Sequence, residues 1–380
     1  MTARGRALAI LTGLAVFVAG WVVFVSAWSG PAGAGPGSRG SGVAGARAAD
    51  LDAFRNELLV WAPGGFSERE VGRVRDSTRV AAISAVRTGT LPAASGRRGG
   101  YQVVPVETMA VDTNAYTTAA GKPGRKLATL LPRGAVLSKT GAKLRRVKSG
   151  GKLRLTGNRT VAVSGVVDDV LLGGYEVALE RTLARRYGIQ RAAYLLVRPR
   201  GPVEGLQAEL RKLLKGRLVR FVTPGDRPYL RGGDGVLPLA QVKARFGEFA
   251  LPSLHRGRPD PAWTRANLVT RKLPLLGRVT CHRLVVGDLG KAMADLQRQR
   301  LGELVDAGAF RRQGGCWSPR LLRERQPGGK LSRHAWGIAV SLEVTGDERL
   351  IRTMAQHGFV WGGGFARPDA THFEWVGRAA

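Results

Sequence analysis

The chain has 380 residues, 44% hydrophobic and 23% charged, which excludes a disordered polypeptide and allows two ordinary domains plus an N-terminal appendage. Sixty Lys and Arg against 28 Asp and Glu give a net charge of +32, which favours anionic partners over cationic ones. Two cysteines, Cys281 and Cys316, exclude a disulfide-dense scaffold, and their spacing matches no zinc-finger pattern.

Ala7 to Trp28 carries no charged residue, enough for a membrane-spanning helix of ~20 residues. Arg4 and Arg6 precede it and no charge follows until Arg39, so the positive-inside rule keeps the N-terminus cytoplasmic and exports the rest. A cleaved signal peptide, with Ala32-Gly33-Ala34 as cleavage site, is the alternative. The apolar run exceeds the ~7–15 residues of a signal core, which favours an uncleaved anchor. The expectation is a single-pass plasma-membrane protein with the bulk of its chain extracytoplasmic. Export disfavours nucleic acid as the anionic partner and leaves cell-wall polymers or lipid headgroups. The plainer reading of the charge is genome composition and solvated surface.

Residues 1–28 form the predicted anchor and 29–49, rich in Gly, Ala, Ser and Pro, a flexible linker. Residues 50–235 read as an α+β accessory domain of unknown function. Asp50 caps a predicted helix with Leu51, Phe54, Leu58 and Leu59 at helical spacing, and a second runs from Ser67 to about Val86. Thr160–Ser164, Ala193–Val197 and Leu218–Val222 read as strands. Tyr175 to Tyr187 reads as a helix, as does the stretch from Leu206 to Leu214, stopped by Gly216. The Gly/Pro-rich passage from Pro224 to Pro238 marks a boundary.

Beyond it, 245–380 forms a second α+β domain. Asp288 caps one helix there and Asp347 opens another that ends before Gly358. Trp336-Gly337 predicts a bend into a strand, Ile338–Leu342, on which Ala339, Ser341 and Glu343 share a face. A residue at 341 would approach His334 across that bend. If the C-terminal segment is a strand, Phe373 and Trp375 face away from His372 and Glu374. Of the five histidines, His255, His282 and His357 read as structural, whereas His334 and His372 lie beside glycines and carboxylates. Asp369, three residues before His372, is close enough to act on a metal-bound water.

Ser332-Arg-His334-Ala-Trp-Gly337-Ile-Ala339-Val-Ser341 and Asp369-Ala-Thr-His372-Phe373-Glu374, with Trp361-Gly362-Gly363 and Gly314–Arg320, carry a resemblance. From about Gly247 to Trp375 the chain is similar to the zinc D-alanyl-D-alanine carboxypeptidases and L-alanyl-D-glutamate endopeptidases of peptidoglycan. The resemblance implies an α+β zinc-peptidase domain with a small antiparallel sheet, acting on stem peptides. It implies zinc on His334 and His372, Asp369 as general base, and Arg320 with Ser332 on the substrate side. An acidic third ligand is implied at 341, where this chain has Ser341. A serine hydroxyl is a poor replacement for a carboxylate on zinc, and Glu343, two residues along, is the candidate substitute. Two functions follow: a membrane-anchored peptidoglycan peptidase, or an inactive relative that binds wall peptides or scaffolds a partner. Cys281 and Cys316 are either one disulfide or two buried thiols.

Overall fold

The computed structural model describes residues 57–96, 100–223, 237–254, 258–320, 331–343, 346–365 and 368–377. The predicted anchor, the linker and His255 lie outside them, and among the described residues no helix is long and apolar enough to cross a membrane. The fold is mixed α+β with one large sheet.

The first part runs β1 (Leu58–Phe66), α1 (Glu68–Arg75), β2 (Val80–Ala94), β3 (Val103–Val111), α2 (Thr113–Ala128), β4 (Ala135–Ser138) and α3 (Lys139–Arg145). It continues through β5 (Lys152–Arg154), β6 (Thr160–Val167), β7 (Val177–Glu180), α4 (Arg181–Arg185), β8 (Ala192–Pro199), α5 (Val203–Leu213) and β9 (Arg220–Val222). These strands make one nine-stranded sheet in the order β5-β6-β4-β7-β3-β2-β8-β1-β9. Every residue of β3 is buried, as in a central strand covered on both faces. Near the edge, β6 alternates between outward and buried positions. Helix α1 starts with a capping box between Ser67 and Glu70 and packs Val71 and Val74 with Leu206 and Leu210 of α5.

Three sequence expectations are corrected here. Leu58 and Leu59, expected on a helix, begin β1, which pairs antiparallel with β8 and β9. The helix expected from Ser67 to Val86 stops at Arg75, and Val80 onward is strand. Tyr175–Tyr187 is not one helix: Val177–Glu180 is β7, parallel to β3, and only Arg181–Arg185 is helical.

The second part contains α6 (Leu239–Phe246), α7 (Pro261–Asn267), the hairpin β10 (Leu268–Leu273) and β11 (Gly277–His282), α8 (Val286–Arg298) and α9 (Ala307–Arg312). It ends with β12 (Ala339–Ser341), α10 (Glu348–Gln356), β13 (Phe359–Trp361) and β14 (His372–Trp375). One core holds it, including Phe246, Phe249, Trp263, Leu289, Met293, Trp336, Val340 and Phe373. The last three strands form an antiparallel sheet with β14 in the centre. Asp347 caps α10 by accepting from the Arg349 and Leu350 amides.

Candidate functional site

The site is built where β12 leaves a tight turn and meets β14. Ser332 caps the turn Arg333–Trp336, its hydroxyl accepting from the His334 amide at 3.3 Å. Its oxygen is thus committed to the backbone, and Ser332 acts by fixing His334. Gly337 closes the turn with φ +65°, and a Cβ there would lie 2.7 Å from the His282 nitrogen, so only glycine fits. Register then sets Ser341 opposite His372 and Ala339 opposite Glu374, while Val340 and Phe373 fill the core on the other face.

His334 is fully buried. Its Nδ1 lies 2.9 Å from the Gly315 carbonyl, which can only accept, so Nδ1 carries the proton. Nε2 is then an acceptor, and the Ser341 hydroxyl donates to it across 3.3 Å. Burial, then His372 and Arg320 nearby, push the His334 pKa down from 6.5 to about 3, against the pull of the Gly315 and Cys316 carbonyls. The His334 and His372 rings stand 5.3 Å apart between centroids. His372 Nε2 is 3.4 Å from Glu374 Oε1, and Arg333 lies 4.0 Å from the other carboxylate oxygen.

Around this pair, Arg320 is half-buried and donates to the Gln313 carbonyl at 2.6 Å. Burial lowers its pKa, and Asp369 opposes that shift. Asp369 is exposed, its carboxylate accepting from the Thr371 amide and hydroxyl at 3.2 and 2.9 Å. The Trp361 indole donates to the Ala370 carbonyl at 2.7 Å, which holds this loop against β13. Glu343 is exposed past the end of β12, with Gln313 donating to it at 3.4 Å. His357 pairs with Asp295 at 2.8 Å on α8, and His282 sits in the core.

A disulfide joins Cys281 on β11 to Cys316, ahead of Arg320. Such bonds persist in oxidising compartments, in agreement with an extracytoplasmic bulk of the chain. With a sequence separation of 35, its loss is expected to cost about 4 kcal/mol by loop-closure entropy. Urea denaturation of the Cys281→Ser, Cys316→Ser double variant should show that drop. An unchanged midpoint would mean the link adds nothing to stability.

The residues present do not fit the implied zinc. Ser341 occupies His334 Nε2 as a hydroxyl donor, Glu343 is drawn toward Gln313, and Arg320 adds positive charge beside the imidazoles. Among the described residues no three His, Cys, Asp or Glu side chains are grouped to hold a metal ion.

No family model matches the chain, and no curated protein matches it. Among solved structures it is similar to the periplasmic region of MacB from Actinobacillus actinomycetemcomitans, at 12% identity over 46% of this chain and 92% of that one, with a TM-score of 0.33. It is also similar to the extracellular domain of the noncanonic ABC-type transporter YknZ from Gram-positive bacteria, at 14% identity over 44% of this chain and 100% of that one, with a TM-score of 0.31. TM-scores this low carry no argument about what the chain does. The expected membership of the zinc peptidases, and with it the peptidoglycan-peptidase function and its inactive wall-binding variant, is corrected: no family model and no curated protein returns it, and the metal group does not assemble among the described residues.

Proposed function

We propose that the chain is an extracytoplasmic, membrane-associated binding protein whose C-terminal part holds an anionic ligand at Arg320. The observation that carries this reading is the setting of that guanidinium. It is half-buried beside His334 and, among the described residues, anchored by one hydrogen bond to the Gln313 carbonyl, which leaves other donors of a planar fork for a carboxylate or phosphate. The disulfide supports the compartment, and the uncharged run Ala7–Trp28 supports association with a membrane.

With a pKa of about 3, His334 is too weak a base to activate Ser341 near neutral pH, where an effective general base titrates close to the working pH.

Calorimetric titration of the full chain with N-acetylglycine and with inorganic phosphate tests it. Saturable binding of one of them is expected, and Arg320→Ala should weaken it about 10- to 100-fold, the value of charge-assisted hydrogen bonds at ~1.5–3 kcal/mol. Asp369→Asn, which removes a competing negative charge, should tighten it. Equal affinity in the Arg320→Ala variant would remove Arg320 from the reading.

A further inference from the structure

A second site lies on the large sheet. The end of α2, the chain following α3, and β6 enclose a groove of about 750 Å³, within the ~300–1,000 Å³ of small-ligand pockets. Leu130, Val147 and Val166 form its apolar floor, all three half-exposed. Gly165 makes that floor: a Cβ there would meet Leu130 Cδ1 at 2.8 Å, so glycine lets Leu130 lie against the strand.

Four cations surround this floor: Lys126, Lys143, Arg146 and Lys148, all exposed. None of them forms an ion pair with a described residue. The neighbouring Arg145 behaves differently, buried between Glu176 and Glu248. The change of side follows from Arg146, which ends α3 with a left-handed φ of 53°, a conformation that costs a non-glycine residue. A bare anion site has no use for an apolar floor, and a purely apolar site has no use for four cations that no described carboxylate pairs.

We propose that this groove binds an anionic membrane phospholipid, an acyl chain resting on Leu130, Val147 and Val166 and the headgroup phosphate held by the cationic rim. The choice of a membrane lipid as occupant rests on the membrane-associated reading above. Basic residues at an anionic lipid surface each contribute about fivefold in binding at low salt. Replacing three of the four is therefore expected to weaken binding about a hundredfold.

The test uses the full chain with vesicles containing phosphatidylglycerol that carries a diazirine in one acyl chain. After irradiation, cross-linked peptides are mapped by mass spectrometry, and vesicle flotation is scored separately. Labelling is expected on the segments bearing Leu130, Val147 and Val166. It should fall about a hundredfold in the Lys126→Ala, Lys143→Ala, Lys148→Ala variant and be absent with the phosphatidylcholine analogue. These lysines are exposed, so the variant is expected to fold, and circular dichroism checks that it does.

Labelling that is absent, confined to other segments, equal for the two lipids or unchanged in the variant would overturn the proposal. Any of these with flotation intact would leave the membrane-associated reading standing. Protection of the groove by polyglutamate without lipid labelling would assign it to an acidic peptide, and would equally overturn it.

Discussion

Lowering the pH from 7 to 4 is expected to remove about 6 kcal/mol of folding stability through two histidines alone, His334 and His282. Both are buried in the second part of the chain and neutral for a geometric reason. His282 Nε2 lies 3.2 Å from the Phe246 carbonyl, so it donates, while Nδ1 accepts from the Leu284 amide at 3.2 Å. A second proton would set Nδ1–H against that amide. Burial, helped by Arg283, lowers the His282 pKa from 6.5 to about 4, although the Phe246 carbonyl favours the charged form. His334 falls further, to about 3.

The sign follows from linkage. Both folded-state values lie below the unfolded value near 6.5, so the unfolded chain takes up these protons first. Stability is intact above pH 6.5, declines as the pH falls, and stops declining on this account only below the folded values of about 4 and 3. Glu70, held near 2, and Glu248, also lowered, add their losses only below about 4.5. Against a typical net stability of ~5–15 kcal/mol, the histidine loss places acid unfolding above the carboxylate range. Urea midpoints at pH 7, 5 and 4 measure it. His282→Gln, which keeps a donor and an acceptor but does not titrate, should reduce the slope by about one proton. A midpoint flat between pH 7 and 4.5 would show that the two imidazoles are not held neutral by the fold.

What the sequence revealed of this architecture depended on burial. The strands over Thr160–Ser164 and Ala193–Val197, and the Arg220–Val222 part of the one expected over Leu218–Val222, were legible because β-branched or apolar residues recur over short spans between turn residues. Leu58 with Leu59, and Val177–Glu180, were misread for a shared reason. Each lies within the sheet with neighbours on both sides, so its apolar residues run on without alternation, and such a run cannot be told from a buried helix by periodicity.

In the site, the closeness of position 341 to His334 followed from a local bend at Gly337. The pairing of Ser341 with His372 did not, since register between segments thirty residues apart is set by long-range packing. Where Glu343 would lie was equally illegible: β12 ends at Ser341, and Gln313, thirty residues earlier in the chain, donates to Glu343. The cationic groove was illegible because its walls come from three segments between Lys126 and Val167, each unremarkable alone.

Lys243→Met is expected to cost about 3–5 kcal/mol, the penalty for leaving a buried charge without its partner. Lys243 is 1% exposed on α6, with Nζ 2.7 Å from Glu176 Oε1 and 3.3 Å from Glu248 Oε1, and it also donates to the Pro105 carbonyl. Arg145 completes the cluster, 3.2 Å from Glu176 and in contact with Glu248. Two cations and two carboxylates cancel, and removing Lys243 leaves Arg145 facing both acids. Burial alone would raise the Glu248 pKa, but Lys243 and Arg145 hold it below 4.5.

The variant reverses part of that balance, so a carboxyl of the cluster should titrate above its ordinary value. A group with a raised folded pKa stabilises the protonated form, and the deficit relative to the parent chain should therefore shrink as the pH falls toward 4.5. Pairing Lys243→Met with Glu176→Leu restores charge balance and should recover part of the loss. Recovery stays incomplete because Glu176 Oε1 also accepts the Glu107 amide at 3.0 Å, which the double variant leaves unpaired at ~1–3 kcal/mol. Urea denaturation of the single and double variants decides the matter. A single variant as stable as the parent would mean that water reaches the cluster, and that the contact between α6 and the large sheet rests on apolar packing alone.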